Sequence, residues 1–221
     1  IRRPPRSTLF PYTTLFRSDT KFAHAYMWYT ESKGQREHEL KLVKKARDTW
    51  VVQNELEVGV TDRFTVAPYY NMEFGPDAPT LGGWALEMRY AFGDIAARKL
   101  LPALYLEPAQ MASEPVELEC MLIGTYFPED SLQTMLTGNL ICEREMRRNE
   151  PAKWGYAFGA AKQDGGQWLG FEAYGNWTEK KHYLGPTLGF KLEDASAVIL
   201  NLGLSMNKQD AQFKIMFVRD L

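Results

Sequence analysis

The sequence has almost none of what a metal centre, a disulfide scaffold or a membrane-crossing helix requires. Two cysteines and three histidines in 221 residues leave neither a ligand cluster nor a disulfide framework. No stretch approaches the roughly 20 consecutive apolar residues that carry a helix across a bilayer. A formal charge of −2 gives no basic surface for nucleic acid. No cofactor, metal or nucleic-acid partner is therefore expected. What the chain does have is a 45% apolar fraction with 13% aromatics, while it stays hydrophilic on average. That balance requires apolar residues spread at alternate positions rather than collected into runs.

The clearest alternation runs from Trp50 to Phe74. Val52, Leu56, Val58 and Val60 share one parity, against Gln53, Glu55, Glu57 and Gly59 on the other. After a polar turn at Thr61, Asp62 and Arg63, the run Phe64, Val66, Tyr70, Met72, Phe74 opposes Thr65, Ala67, Asn71 and Glu73. Strand side chains point alternately to opposite faces, so this is a hairpin with one apolar and one charged face.

The same pattern recurs to the C-terminus: Trp84 to Phe92, Leu104 to Leu106, Val116 to Leu122, Leu132 to Glu145, Trp154 to Ala160, Leu169 to Trp177, Leu184 to Phe190, Val198 to Leu204 and Phe213 to Phe217. Lys21 to Glu31 is also strand-like, with aromatics on both parities, and is expected to be the first strand. The charged stretch Gln35 to Asp48 could be a helix by composition. Leu40 and Leu42 share a parity with Trp50 and Val52, so it is expected instead to be the outer end of a long second strand, rising into an exposed loop. About twelve strands of roughly ten residues each suit tilted membrane-spanning strands. The expected fold is all-β: a single antiparallel up-and-down transmembrane β-barrel. If the first strand leaves the periplasm, turns at Thr61, Gly93, Pro128, Gly165 and Asp194 lie on the periplasmic side and longer loops lie outside.

Residues 1–18, IRRPPRSTLFPYTTLFRS, fit neither a signal peptide nor a strand. Over all eighteen residues they resemble the one-frame translation of a common sequencing adapter. They are read as an artefact outside the fold, with the barrel at 19–221 and the natural N-terminus, including any export signal, expected to be missing.

Cost decides which face is which. One parity carries Glu55, Glu57, Glu73, Glu87, Arg89, Glu107, Glu117, Glu119, Glu143, Glu145, Glu172, Lys191 and Lys214. A basic residue on a lipid-facing surface costs about 2–4 kcal/mol near the midplane and an acidic one somewhat less, so this many charges facing lipid would exceed the stability of a fold. This parity is expected to line the lumen. On the other face, Trp50, Trp84, Trp154, Trp177, Tyr90 and Tyr156 fall near run ends, where an aromatic girdle sits. Pro68 and Pro186 fall inside expected strands, where each removes a ladder donor, and Arg144 on the lipid parity requires a place at the rim.

The pieces ELEVGVTDRFTVAPYY, NLICERE and HYLGPTLGF resemble a broad set of poorly characterised, porin-like bacterial outer-membrane barrels. The resemblance implies a single-chain barrel in a Gram-negative outer membrane, bounded by outer-membrane lipid, possessing no catalytic motif and having a role in transport. Two readings of the luminal charges stay open. They line a narrow passive path for small polar or cationic solutes, or they satisfy one another in a network that plugs the lumen. A soluble, lipocalin-like carrier of an apolar ligand is the alternative, with the apolar parity turned inward. A lipid hydrolase would need His24, His38 or His182 beside a serine, and Ser32, Ser113, Ser131, Ser196 and Ser205 show no such motif. Cys120 and Cys142 share the lipid parity and come opposite each other only if their hairpin centres on Ser131; they are expected to be small apolar residues.

Overall fold

The structure is a computed structural model that describes residues 21–44, 49–75, 80–93, 99–111, 114–128, 132–147, 150–193, 195–206 and 210–221. The adapter-like residues 1–18, the expected domain start at Asp19 and the turn positions Ser131 and Asp194 lie outside this set.

Twelve strands run β1 (Arg36–Lys44), β2 (Trp50–Thr61), β3 (Phe64–Phe74), β4 (Thr80–Ala91), β5 (Leu100–Gln110), β6 (Glu117–Tyr126), β7 (Thr134–Glu145), β8 (Lys153–Asp164), β9 (Gln167–Asn176), β10 (Lys181–Glu193), β11 (Ser196–Ser205) and β12 (Ala211–Asp220). Each pairs antiparallel with its neighbours in sequence, and β1 closes on β12 with Leu42 opposite Ile215, giving an up-and-down barrel without an edge. A closed sheet satisfies every backbone group along its strands, which an open sheet in lipid could not do. The amide of Leu221 donates to the carbonyl of Arg36, so both ends of the barrel meet at one rim.

Two expectations about the N-terminal part change. Lys21 to Glu31 is not a strand; it lies inside the barrel. Its mixed parity follows from that position, because a segment surrounded by wall on all sides has no exposed face to mark with polar residues. The twelfth strand comes instead from Arg36–Lys44, which is a strand of its own rather than an extension of β2. Leu40 and Leu42 do share the face of Val52. Glu37, Glu39 and Lys41 on the opposite face join the luminal charges.

The connections also differ from a simple rule of short turns on one side and long loops on the other. The two-residue turns at 62–63 and 165–166 share the rim where β1 begins and β12 ends, which is the inner rim, and β10 ends and β11 begins on that same rim. The connections 92–99 and 127–133 on that rim are as long as any at the outer rim.

The prolines leave visible marks. Between β2 and β3 the register passes from Glu55–Tyr69 directly to Val58–Val66, skipping Pro68. Between β10 and β11 it passes from Leu184–Leu204 to Thr187–Asn201, skipping Pro186. The lost donor is absorbed by a local gap in the ladder while the strand itself continues.

The outer surface is apolar. Leu104, Leu122 and Leu140 are cross-strand partners at mid-height on β5, β6 and β7, and all are exposed. A belt of this extent is not a surface for water; it faces lipid. Trp50, Trp84, Trp154 and Trp177 lie toward the outer rim, with Tyr90, Phe92 and Tyr126 toward the inner rim, forming two aromatic girdles. Arg144, the penultimate residue of β7, is exposed at the outer rim. The apolar parity is thus outside, opposite to what a soluble carrier needs. Replacing Leu122 with Arg at mid-height is expected to destabilise the barrel by about 2–4 kcal/mol, measured by denaturant unfolding in lipid vesicles. An unchanged midpoint would contradict the lipid assignment.

Candidate functional site

The inner half of the lumen is filled by residues 21–35, which cross it without forming a backbone ladder to the wall. Up to Glu31 their backbone groups are bonded by wall side chains instead, and Gly34 and Gln35 then bond the backbone of Gly59 on β2 at 2.8 and 3.0 Å. The Glu172 carboxylate on β9 accepts from the amides of Ala23, His24 and Ala25 at 2.8, 2.6 and 2.9 Å. Asn139 on β7 accepts from the Tyr26 amide at 2.7 Å and donates to the Tyr26 carbonyl at 2.9 Å. Thr125 accepts from Trp28 at 3.0 Å and Thr65 from Glu31 at 2.7 Å. The Lys21 carbonyl accepts from Trp168 Nε1 at 2.8 Å, and that of Tyr29 from Arg89 at 3.2 Å. Lys214 donates to the carbonyl of Ala23. An extended chain away from water has obligatory donors and acceptors, and these wall residues meet them from β3, β4, β6, β7, β9 and β12.

Apolar packing adds to this. Phe22, Ala23, Ala25, Met27 and Tyr29 are buried against Leu101, Met135, Ile199, Met216 and Val218 on the inner parts of their strands. Removing an apolar side chain of this size from water is worth about 1.5–3 kcal/mol. Gly159 allows the approach on β8: a Cβ there would lie 2.7 Å from the Phe22 ring. The segment ends in a turn at Lys33 and Gly34, whose φ of +82° favours glycine, and the chain then enters β1. Sequence reasoning missed this segment. The signal was that Met121, Ile123, Met135, Ile199, Met216 and Val218 make the luminal parity apolar toward the inner rim, a pattern unsuited to a wet pore.

The luminal charges fall into two groups. The deeper lies on β1, β2 and β4. Lys41 Nζ bonds Glu39 and Glu55 at 2.7 and 2.6 Å, and Gln53 donates to Glu55 at 2.8 Å. Arg89 bonds Glu57 at 3.1 Å and Glu87 through Nε at 3.0 Å, and its guanidinium lies over the rings of Tyr26 and Tyr29. All these charged groups are buried. A cavity of about 30 Å³ lies between this wall and the segment, lined among others by Glu39, Lys41, Glu57, Arg89 and Lys214; it has room for about one water.

The second group lies toward the outer rim. Glu107, Glu119 and Glu143 are cross-strand partners in one row on β5, β6 and β7, with Lys153 next in the row. Glu117 faces Glu145 in the row beyond. Like charges directly opposite on a sheet destabilise it, so a row of this kind concentrates negative potential. Tyr105 donates to Glu107, and Asn176 to Glu143 at 3.4 Å. In the outer turn after β9, Glu179 bonds Lys181 at 2.7 Å and Lys153 at 3.6 Å. The Lys181 hydrogen bond holds the Glu179 carboxyl below its ordinary range.

Of the luminal residues expected from sequence, Glu55, Glu57, Glu87, Arg89, Glu107 and Glu172 are buried inside the barrel. Glu73, Glu117, Glu119, Glu143 and Glu145 are half-buried toward the outer rim, and Lys214 is half-buried behind Ala23. Lys191 stands apart from both groups, half-buried near the inner end of β10 beside Gly166. The histidines do not converge. His24 stacks on Tyr174 in the lumen at 3.8 Å, His38 meets Asn54, and His182 stacks on Tyr156 near the outer rim. Cys120 and Cys142 are register partners, both as free thiols.

No protein-family model matches the chain, and no curated protein sequence does. Solved structures with the same fold include the KdgM porin, at TM-score 0.65 and 9% identity over 84% of this chain and 99% of that one. The NanC porin aligns at TM-score 0.62 and 7% identity over 84% of this chain and 100% of its own. The outer membrane protein Omp33 of Acinetobacter baumannii aligns at 0.59 and 8%, over 86% and 99%. The architecture is that of porin-like outer-membrane barrels.

Proposed function

We propose that this protein is an outer-membrane channel of the porin type. Its outer vestibule favours cations and cationic solutes, and residues 21–35 constrict its inner half. The observation that carries this reading is the row Glu107, Glu119, Glu143 with Glu117 and Glu145 beyond it, lining the lumen of a closed barrel whose outside is apolar. Acidic side-chain rings give cation preference because they stabilise a partly dehydrated cation and repel anions. One structural neighbour is described as a KdgM porin in complex with disordered oligogalacturonate, a polymer of acidic sugars. Such a polyanion would be repelled by the glutamate row here, so the shared fold is compatible with a different solute class.

The constricting segment supports a second reading, a barrel plugged for a structural role. Conductance separates the two. Reconstituted into a planar bilayer under a KCl gradient, the protein is expected to show small currents with a reversal potential on the cation side. Glu119→Gln with Glu143→Gln is expected to move that potential toward zero while leaving the barrel folded. No current from the full chain or from a chain lacking the segment would favour the structural plug, and anion preference would overturn the proposal.

A further inference from the structure

We infer that Cys120 and Cys142 form a disulfide on the lipid-facing side of the barrel, which clamps β6 to β7 where these strands carry the glutamate row. The chain has two cysteines in 221 residues, and the fold makes them register partners on neighbouring strands. Residues directly opposite on antiparallel strands have Cα atoms about 4.5 or 5.5 Å apart, and both values lie within the range of about 4.4–6.8 Å that a disulfide spans. The two side chains leave the sheet on the same face, in a row that runs Leu106, Cys120, Cys142, Trp154. That row lies toward the outer rim at the height of the aromatic girdle, with Cys120 exposed. Formation of the bond does not rest on the channel reading; its bearing on cation preference does.

A second observation gives the bond a task. One position before Cys120 and one after Cys142, on the luminal face, Glu119 is opposite Glu143, and the next luminal pair outward is Glu117 with Glu145. Like charges directly opposite weaken strand pairing, so the outer end of this hairpin carries two repulsive pairs in succession. Two small apolar side chains at 120 and 142 would do little against that. A covalent bond on the other face, one residue away, holds the two backbones together and leaves the carboxylates turned to the lumen.

The structure holds both residues as thiols, the reduced member of the couple. Oxidation takes two protons and two electrons from the pair. One thiolate attacks the disulfide of an oxidant of the thiol–disulfide exchange class and forms a mixed disulfide. The second thiolate then displaces the oxidant's sulfur, so that the Sγ–Sγ bond forms and the oxidant leaves as a dithiol carrying both electrons and both protons. The bacterial periplasm, through which an outer-membrane chain passes, is an oxidising compartment in which such bonds form and persist.

To test for the bond, the full chain is refolded in detergent micelles, exposed to oxidised glutathione, denatured without reductant and alkylated with N-ethylmaleimide. Its intact mass is expected to be two hydrogens below that of the dithiol, with no maleimide or glutathione adduct. Half-reduction of the folded protein is expected to need at least about tenfold more reduced glutathione than that of the denatured chain, because whatever the bond adds to the folded hairpin the folded hairpin returns to the bond. A displaced pair, Cys142→Ser with Leu140→Cys, sets the thiols on a diagonal of about 7–8 Å, beyond the reach of the bond, and is expected to take up two maleimides. Heat-dependent gel mobility checks that this variant folds. Two alkylated thiols in the folded wild type, or equal oxidation of the displaced pair, overturns the bond. Hydrogen exchange reads the clamp. Reduction is expected to speed exchange of the outer β6 and β7 amides several-fold, and to do so less in Glu119→Gln with Glu143→Gln, where the repulsion is gone. Equal exchange in oxidised and reduced wild type overturns the clamp. None of these readouts passes through conductance, so a bond found in a barrel without cation preference would count against the channel proposal and leave the disulfide standing.

Discussion

A chain shortened to begin at Gly34 is expected to conduct several-fold more current than the full chain while folding into the same heat-modifiable barrel. The expectation follows from how the lumen segment is held. Residues 21–33 contribute nothing to the twelve-strand ladder, which closes through β1 and β12 independently of them. Their loss removes Phe22, Met27 and Tyr29 from the inner lumen. It leaves Glu172, Asn139, Thr125 and Thr65 as polar wall groups that water can hydrate. The barrel also exposes Leu101, Ile199 and Val218 inside, so part of its stability goes with the segment. Single-channel recording against the full chain measures the effect. Equal conductance in the two proteins would show that the constriction lies elsewhere.

Glu172→Ala is expected to release the same segment by a single change. This carboxylate is fully buried and accepts from three consecutive backbone amides, from Thr187 and from Asn201. Its removal strands the three amides in a site already shut off from water. Breaking one partner of a buried charged network costs about 3–5 kcal/mol. The segment is held by side-chain bonds and packing rather than by a ladder, so this cost falls mainly on docking rather than on the barrel. About 3 kcal/mol is roughly two orders of magnitude in the ratio of docked to undocked segment. Tryptic cleavage at Lys21 should accelerate to match, while the unfolding midpoint of the barrel shifts little. Glu172→Gln should resemble Ala rather than wild type, since a carboxamide presents a donor group where the structure supplies only donors. A variant that kept Lys21 protected would show that apolar packing alone docks the segment.

The barrel itself was legible in the chain because strand side chains alternate, and lipid outside with charge inside turns that alternation into opposite chemistries. Leu104, Leu122 and Leu140 on one face and Glu107, Glu119 and Glu143 on the other could be placed without coordinates. The pairing of Cys120 with Cys142 was conditional on a hairpin centre, and the register between β6 and β7 places the two thiols opposite each other. The strand count came out at twelve although its first member was misplaced, since Arg36–Lys44 took the role assigned to Lys21–Glu31.

The sequence by itself determined the sheet, its two faces and the charge of its interior, because each depends on period and composition along one strand. Only the tertiary structure decided what fills the interior. Glu172 meets Ala23, and Glu57 meets Glu31, across separations of 149 and 26 positions, and no local pattern in Lys21 to Gln35 distinguishes a strand from an extended chain held by side chains. The difference lies in which donors and acceptors surround the backbone, and those are assembled only when the barrel has closed.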